Sequence, residues 1–183
     1  LEYIENYTNT FEALLQAGEY EQVYNEYINV ESFIDYWMVQ AIVGNKEMGY
    51  IYSVYCYKDR NKKLYAGPLW DFDYTTFTTE AENNNKSAVW YKYLFKDPNF
   101  KRKVVERFCQ LKPQLIGFAD YISEKATALS LSEKENSKLW PLSNLDSTII
   151  PNNDEKLTFN EAISRMRSIY LKRLEWIEQQ LNN

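Results

Sequence analysis

Histidine is absent from this 183-residue chain, and that absence closes off several chemistries. Without imidazole there is no Ser-His-Asp or Cys-His arrangement, no His-ligated zinc site and no histidine general base. Chemistry here has to run on carboxylates, Lys, Tyr or a bound metal. Glycine and proline number only five each, so sharp turns are few and a largely helical chain is expected. The two cysteines, Cys56 and Cys109, lack metal-ligand spacing and read as separate buried thiols. No run of about 18 apolar residues occurs, so no membrane span is expected. A net charge of −5 without a basic stripe makes nucleic acid an unexpected partner. No secretory leader is visible; the chain opens at Leu1 inside a helical pattern, as a piece of a longer protein would.

What is present suits one globular domain over residues 1–183. Apolar residues make up 45%, charged residues 26% and aromatics 16%, enough to bury a core at this length. Tyr3, Tyr7, Phe11 and Leu14 predict a helix over 3–17 that Gly18 stops, and a shorter helix follows over 20–27. Ser32 reads as the cap of a third helix over 33–43, apolar nearly all round and therefore buried, ended by Gly44. Asp97-Pro98 is a cap followed by proline at the first helical position, with Phe100, Val104, Phe108 and Leu111 as its apolar stripe. Pro113 is expected to start or kink another helix, to about Leu129, with 130–156 irregular. Thr158-Phe-Asn-Glu161 is a capping box, and Phe159, Ile163, Met166, Tyr170, Leu174, Ile177 and Leu181 keep one face of the last helix.

Between the helices, Tyr50 to Tyr57 and Leu64 to Trp70 predict a β-hairpin across the polar turn Lys58 to Lys63. The second strand runs into Trp70-Asp-Phe-Asp73. In an extended chain Asp71 and Asp73 share a face, with Trp70 and Phe72 on the other. Carboxylates about 7 Å apart repel by about 2–2.5 kcal/mol at an effective dielectric of about 20, a cost that a cation removes, and Mg²⁺ is held by one or two carboxylates plus phosphate oxygens.

Several segments in order resemble the CotH-like kinase family, of the spore-coat protein H type. Val30-Glu-Ser-Phe-Ile-Asp-Tyr36 resembles the start of its central helix, and Gly44-Asn-Lys-Glu47 its turn. Tyr55-Cys-Tyr-Lys-Asp59 and Lys63-Leu-Tyr-Ala-Gly-Pro-Leu-Trp-Asp-Phe-Asp73 resemble its hairpin. Tyr93-Leu-Phe-Lys-Asp-Pro-Asn-Phe100, Glu106-Arg107 and Arg173-Leu-Glu-Trp-Ile177 fit its helical tail.

The resemblance implies an α+β, predominantly helical fold, the C-terminal half of an atypical protein kinase with one hairpin. It implies a bacterial, extracytoplasmic (secreted or cell-surface) phosphotransferase that uses ATP and Mg²⁺, or Mn²⁺ or Ca²⁺, on a secreted or cell-surface protein. Carried over, the catalytic residues are Glu47 and Asp71, and the metal ligands are Asp71, Asp73 and Asn45. Position 47 holds Glu where Asp is expected in much of the family. No G-x-G or strand-borne lysine precedes Lys46, so the nucleotide-binding part is expected upstream and this piece is expected to be inactive alone.

Structural readings stand beside these. Asp71 and Asp73 suit hydrogen-bonded carboxylates at a strand end, Glu47 an ordinary surface acid, and Asn45 a left-handed turn residue. Trp70 and Phe72 read as core, Lys58 to Lys63 as a solvated tip, and Arg102, Lys103 and Arg107 as the wet face of a helix. The tyrosines of the hairpin suit either a sugar- or protein-binding surface or contacts with strands upstream. The alternative function is a non-catalytic extracellular adhesion or scaffold module, or a pseudokinase.

Overall fold

A helix apolar on nearly every side has to be surrounded, and α3 (Val30–Val43) is that helix. Phe33, Ile34, Trp37, Met38, Ala41 and Ile42 are all buried. The computed structural model describes residues 2–49, 52–72, 76–77, 85–141 and 156–182. Its other elements in chain order are α1 (Glu2–Ala17), α2 (Tyr20–Gln22) running into a π-helical turn (Val23–Tyr27), a 3₁₀ turn (Glu47–Gly49), β1 (Cys56–Tyr57), β2 (Tyr65–Ala66), α4 (Tyr91–Leu94), α5 (Pro98–Leu139) and α6 (Phe159–Asn182). The fold is α+β and predominantly helical, as the sequence implies.

The cap of α3 is Asn29, not Ser32. Asn29 Oδ1 accepts the Ser32 amide at 2.8 Å, so the helix starts three residues earlier than expected. Ser32 turns its hydroxyl to the Asn29 carbonyl at 2.8 Å and accepts the Ala66 amide at 3.2 Å, which docks β2 on the first turn of α3. The π-helical turn completes the docking. A widened turn leaves carbonyls outside the regular ladder. Tyr24 O accepts Lys63 Nζ at 2.7 Å, while Tyr27 O accepts the Leu64 amide at 2.7 Å and the Tyr7 hydroxyl.

Cys56 pairs with Ala66 and Tyr57 with Tyr65 in the antiparallel hairpin. The strands are shorter than the expected 50–57 and 64–70, because Ser53 (φ 51°), Gly67 (φ 122°) and Asp71 (φ 60°) leave the extended region; Tyr50 lies outside the described residues. The Lys58–Lys63 tip is not simply solvated. Lys58 Nζ donates to the Tyr3 hydroxyl at 2.8 Å and sits 4.3 Å from the Tyr7 ring centroid. Cys56 and Cys109 are both exposed residues, Cys109 against the expectation of a buried thiol; the Cys56 thiol is screened enough that burial pushes it up to about 11.

Asp97 caps α5 as expected, accepting the amides of Asn99 at 3.0 Å and Phe100 at 3.2 Å and the Tyr24 hydroxyl at 2.6 Å while only 3% exposed. Pro113, expected to divide two helices, lies inside one. The buried stripe continues past it, from Phe100, Val104 and Phe108 to Ala119 and Ile122, and holds the helix through the missing N–H. Residues 130–139, expected to be irregular, extend the same helix. Leu131, Glu133, Lys134 and Glu135 are good helix formers and no breaker precedes Pro141; 142–155 lie outside the described residues.

α6 begins at its capping box, with Glu161 Oε2 accepting the Thr158 amide at 2.8 Å. It runs antiparallel to α5, tied by Lys112–Glu178 at 2.5 Å, the Tyr170 hydroxyl on Leu115 O at 2.6 Å, and Arg167 on Ala119 O at 3.1 Å. Arg107, expected on a wet face, instead grips Asp35 of α3 with two bonds of 2.8 and 2.9 Å.

Two outcomes follow for stability. Asp97→Ala strips two amide caps and orphans Tyr24, and should lower unfolding free energy by about 3 kcal/mol, read as a lower urea midpoint at constant m. Burial raises the phenols of Tyr24, Tyr91 and Tyr170, the last to about 12. The neutral forms therefore stabilise the fold fully below the unfolded tyrosine pKa of about 10, and that stability is lost as pH rises above it. Urea midpoints at pH 8 and 10.5 should show the fall, and Tyr170→Phe should lessen it.

Candidate functional site

The last turn of α3 builds the centre of the site. Gly44 takes a left-handed φ of 73°, its amide donates to Ala41 O at 3.3 Å, and the Asn45 amide donates to Gln40 O at 3.0 Å. This is the two-bond glycine ending of a helix. It drops Asn45 into the interior, 1% exposed. There its Nδ2 donates to Gln40 Oε1 at 2.8 Å and its Oδ1 accepts the Glu47 amide at 3.1 Å. Asn85, also buried, donates from Nδ2 to the Asn45 carbonyl at 3.0 Å. Asn45 is absent from the residues with left-handed φ, and Gly44 takes that conformation instead. Glu47 is half-buried at the start of the 3₁₀ turn, which Met48, fully buried, anchors from below.

Arg173 of α6 reaches the same turn. Only 2% exposed, it donates from Nε to Ile42 O at 3.3 Å and from Nη2 to Ala41 O. These carbonyls belong to the helix end, where the macrodipole favours a cation. A Cβ at Gly44 would lie 3.3 Å from Arg173 Nε. Burial pulls the guanidinium below its ordinary pKa.

Asp71 lies on a different kind of support. It is exposed, on a left-handed turn, and Ser53 Oγ approaches its Oδ2 at 3.4 Å. Upstream, the Gly67 amide donates to Tyr55 O at 2.9 Å; downstream, the Phe77 amide donates to Val43 O at 3.1 Å. The loop that carries Asp71 is thus tied to the hairpin at one end and to the last turn of α3 at the other. Because of the left-handed φ at Asp71, the extended alternation expected from 71 to 73 does not run through it. Asp73 lies outside the described residues. Trp70, expected in the core, is 59% exposed, and Tyr52, Tyr55 and Tyr57 of the hairpin segment are exposed as well.

Among the described residues no three His, Cys, Asp or Glu side chains converge on a metal position. Asp71 offers one solvent-facing carboxylate, which fits an ion that takes one or two carboxylates and completes its shell with water and phosphate. The amide of Asn45 is engaged at both ends by Gln40 and Glu47. Gln40 and Asn85 are residues that the sequence reading did not single out, and Arg173 entered it only as part of the helical-tail resemblance, with no role at the site. For Gln40 and Arg173 the signal is polarity in an apolar row, Gln40 in the all-round apolar α3 and Arg173 four residues from both Ile169 and Ile177; Asn85, in a polar stretch, carries no such signal.

A family model described as CotH kinase protein matches residues 1–177. No curated protein and no solved structure matches the chain significantly.

Gly44→Ala should test the turn directly. It forces a side chain into a left-handed φ and against Arg173, and a loss of about 1–2 kcal/mol in urea unfolding is expected.

Proposed function

Since the chain belongs to the CotH kinase family, we propose that it serves transfer of the γ-phosphoryl of ATP to a hydroxyl of a secreted or cell-surface protein. It is the C-terminal, metal-binding part of such a kinase, working with a nucleotide-binding part upstream. The observation that carries this reading is that one family match takes in both the Gly44-Asn45-Lys46-Glu47 turn and the Trp70-Asp71-Phe72-Asp73 motif.

Glu47 is the acid that orients the acceptor hydroxyl and takes its proton. As the acceptor oxygen bonds to the γ-phosphorus, the bond from that phosphorus to the β–γ bridging oxygen breaks and ADP leaves. The hydrogen bond from the Glu47 amide to Asn45 Oδ1 supports this role, because it fixes the backbone that carries the carboxylate. Asp71, with Asp73, is assigned to Mg²⁺, or to Mn²⁺ or Ca²⁺. When bound, the ion offsets the charge of the triphosphate. Asn45 enters as the residue that sets Glu47. An extracytoplasmic, spore-coat-associated location goes with the family and is part of this proposal.

A second reading, a non-catalytic adhesion or scaffold module, draws on the exposed aromatic side chains Tyr52, Tyr57 and Trp70, which suit a glycan or protein surface.

The test is incorporation of label from γ-labelled ATP with Mg²⁺ by the full-length protein, beside Asp71→Asn and Glu47→Gln. Each substitution should cut incorporation at least about 100-fold; unchanged transfer by both would overturn the assignment. Melting with EDTA, Mg²⁺, Mn²⁺ or Ca²⁺ supplies a second readout. An ion at 100 times its Kd stabilises by about 2.7 kcal/mol, and Asp71→Asn should abolish the shift. Absent transfer, together with glycan or cell-surface protein binding that survives Asp71→Asn, would favour the scaffold.

A further inference from the structure

We infer that Arg173 is a positioning residue: through the last turn of α3 it sets the backbone from which Glu47 presents its carboxylate. The inference rests on the role proposed above for Glu47 and adds to it a residue 126 positions away in the chain (173 minus 47).

The path is short in space. The guanidinium holds the carbonyls of Ala41 and Ile42. Ala41 O also accepts the Gly44 amide, and the next amide, of Asn45, closes on Gln40 O. Asn45 then accepts the Glu47 amide on its side chain. Gln40 and Asn85 grip Asn45 from two further directions, which couples the Asn45 side chain to the same helix end whose carbonyls Arg173 holds. Gly44 leaves the gap into which the arginine fits.

Packing alone does not call for an arginine here. The neighbours along its row, Ile169 and Ile177, are buried and aliphatic, and a buried charge exchanged for a well-packed apolar side chain is often neutral or stabilising. What the guanidinium adds is a planar fork that fixes two successive carbonyls at once. Lysine keeps the charge but presents no such fork.

Arg173→Lys in the full-length protein is therefore the diagnostic change, with Ile177→Val, at a fully buried position on the same helix, as the packing control. Amide hydrogen exchange comes first. In Arg173→Lys, the amides of residues 45–49 should exchange at least about ten-fold faster, while Ile177→Val leaves them within the change seen across α5 and α6. Equal acceleration in both variants would overturn the inference. Kinetics supply the second arm. Arg173→Lys should lower kcat at least about ten-fold, as displacement of a catalytic group does, with KM for ATP within about two-fold. In the Glu47→Gln background it should cost nothing further, whereas an additive loss would mean that Arg173 does not act through Glu47. If the wild-type protein transfers no phosphoryl group, the proposed reaction fails on its own, and the exchange result still decides whether Arg173 holds the turn.

Discussion

The termini of α3 cannot be left to water. A helix surrounded on nearly every side carries unpaired amides at its start and unpaired carbonyls at its end, and buried polar groups of that kind require partners. At the start the Asn29 side chain takes the Ser32 amide; at the end the Gly44, Asn45 and Phe77 amides and Arg173 take the carbonyls of residues 40–43. Much else is arranged around these two ends. Ser32, inside the first turn, holds β2; Arg173, on the last, draws α6 across the end of the helix. The arginine is costly to bury, and the negative end of the helix dipole is an environment that helps to offset that cost.

The hairpin depends on a second irregularity. Two strands of two residues each do not stand alone in water. They persist because the π-helical turn exposes the Tyr24 and Tyr27 carbonyls to Lys63 and Leu64, and because Lys58 lies over the rings of α1. The Asp71 loop inherits its place from this docking at one end and from Val43 at the other. Among the described residues, the Asp71 side chain meets Ser53 Oγ at 3.4 Å, and the Thr76 hydroxyl donates to Phe72 O within the same loop.

The two carboxylates proposed for catalysis consequently sit in contrasting settings. Glu47 is half-buried on a backbone pinned by Asn45, while Asp71 faces solvent on a left-handed turn. A base must hold its direction toward one proton, whereas a ligand for a hydrated cation has to remain reachable and adaptable. A chain without histidine can separate those duties by environment alone.

Residue pattern by itself determined the helical character, the buried α3, the glycine that ends it, the Asp97 cap and the capping box of α6, because each depends on side chains within a few positions of one another. The family resemblance was likewise legible in local motifs, and those motifs mark Glu47, Asp71 and Asp73 as the residues to test. The Asn29 cap is equally local and was open to the same reading; tertiary structure alone decided that α5 runs through Pro113, that the strands shrink to two residues, and that Trp70 faces outward. It also decided that Gln40, Asn85 and Arg173 meet at one turn. Those outcomes turn on long-range partners, since a proline is tolerated when both flanks of a helix are buried, and an arginine in an apolar row meets carbonyls 131 and 132 positions away.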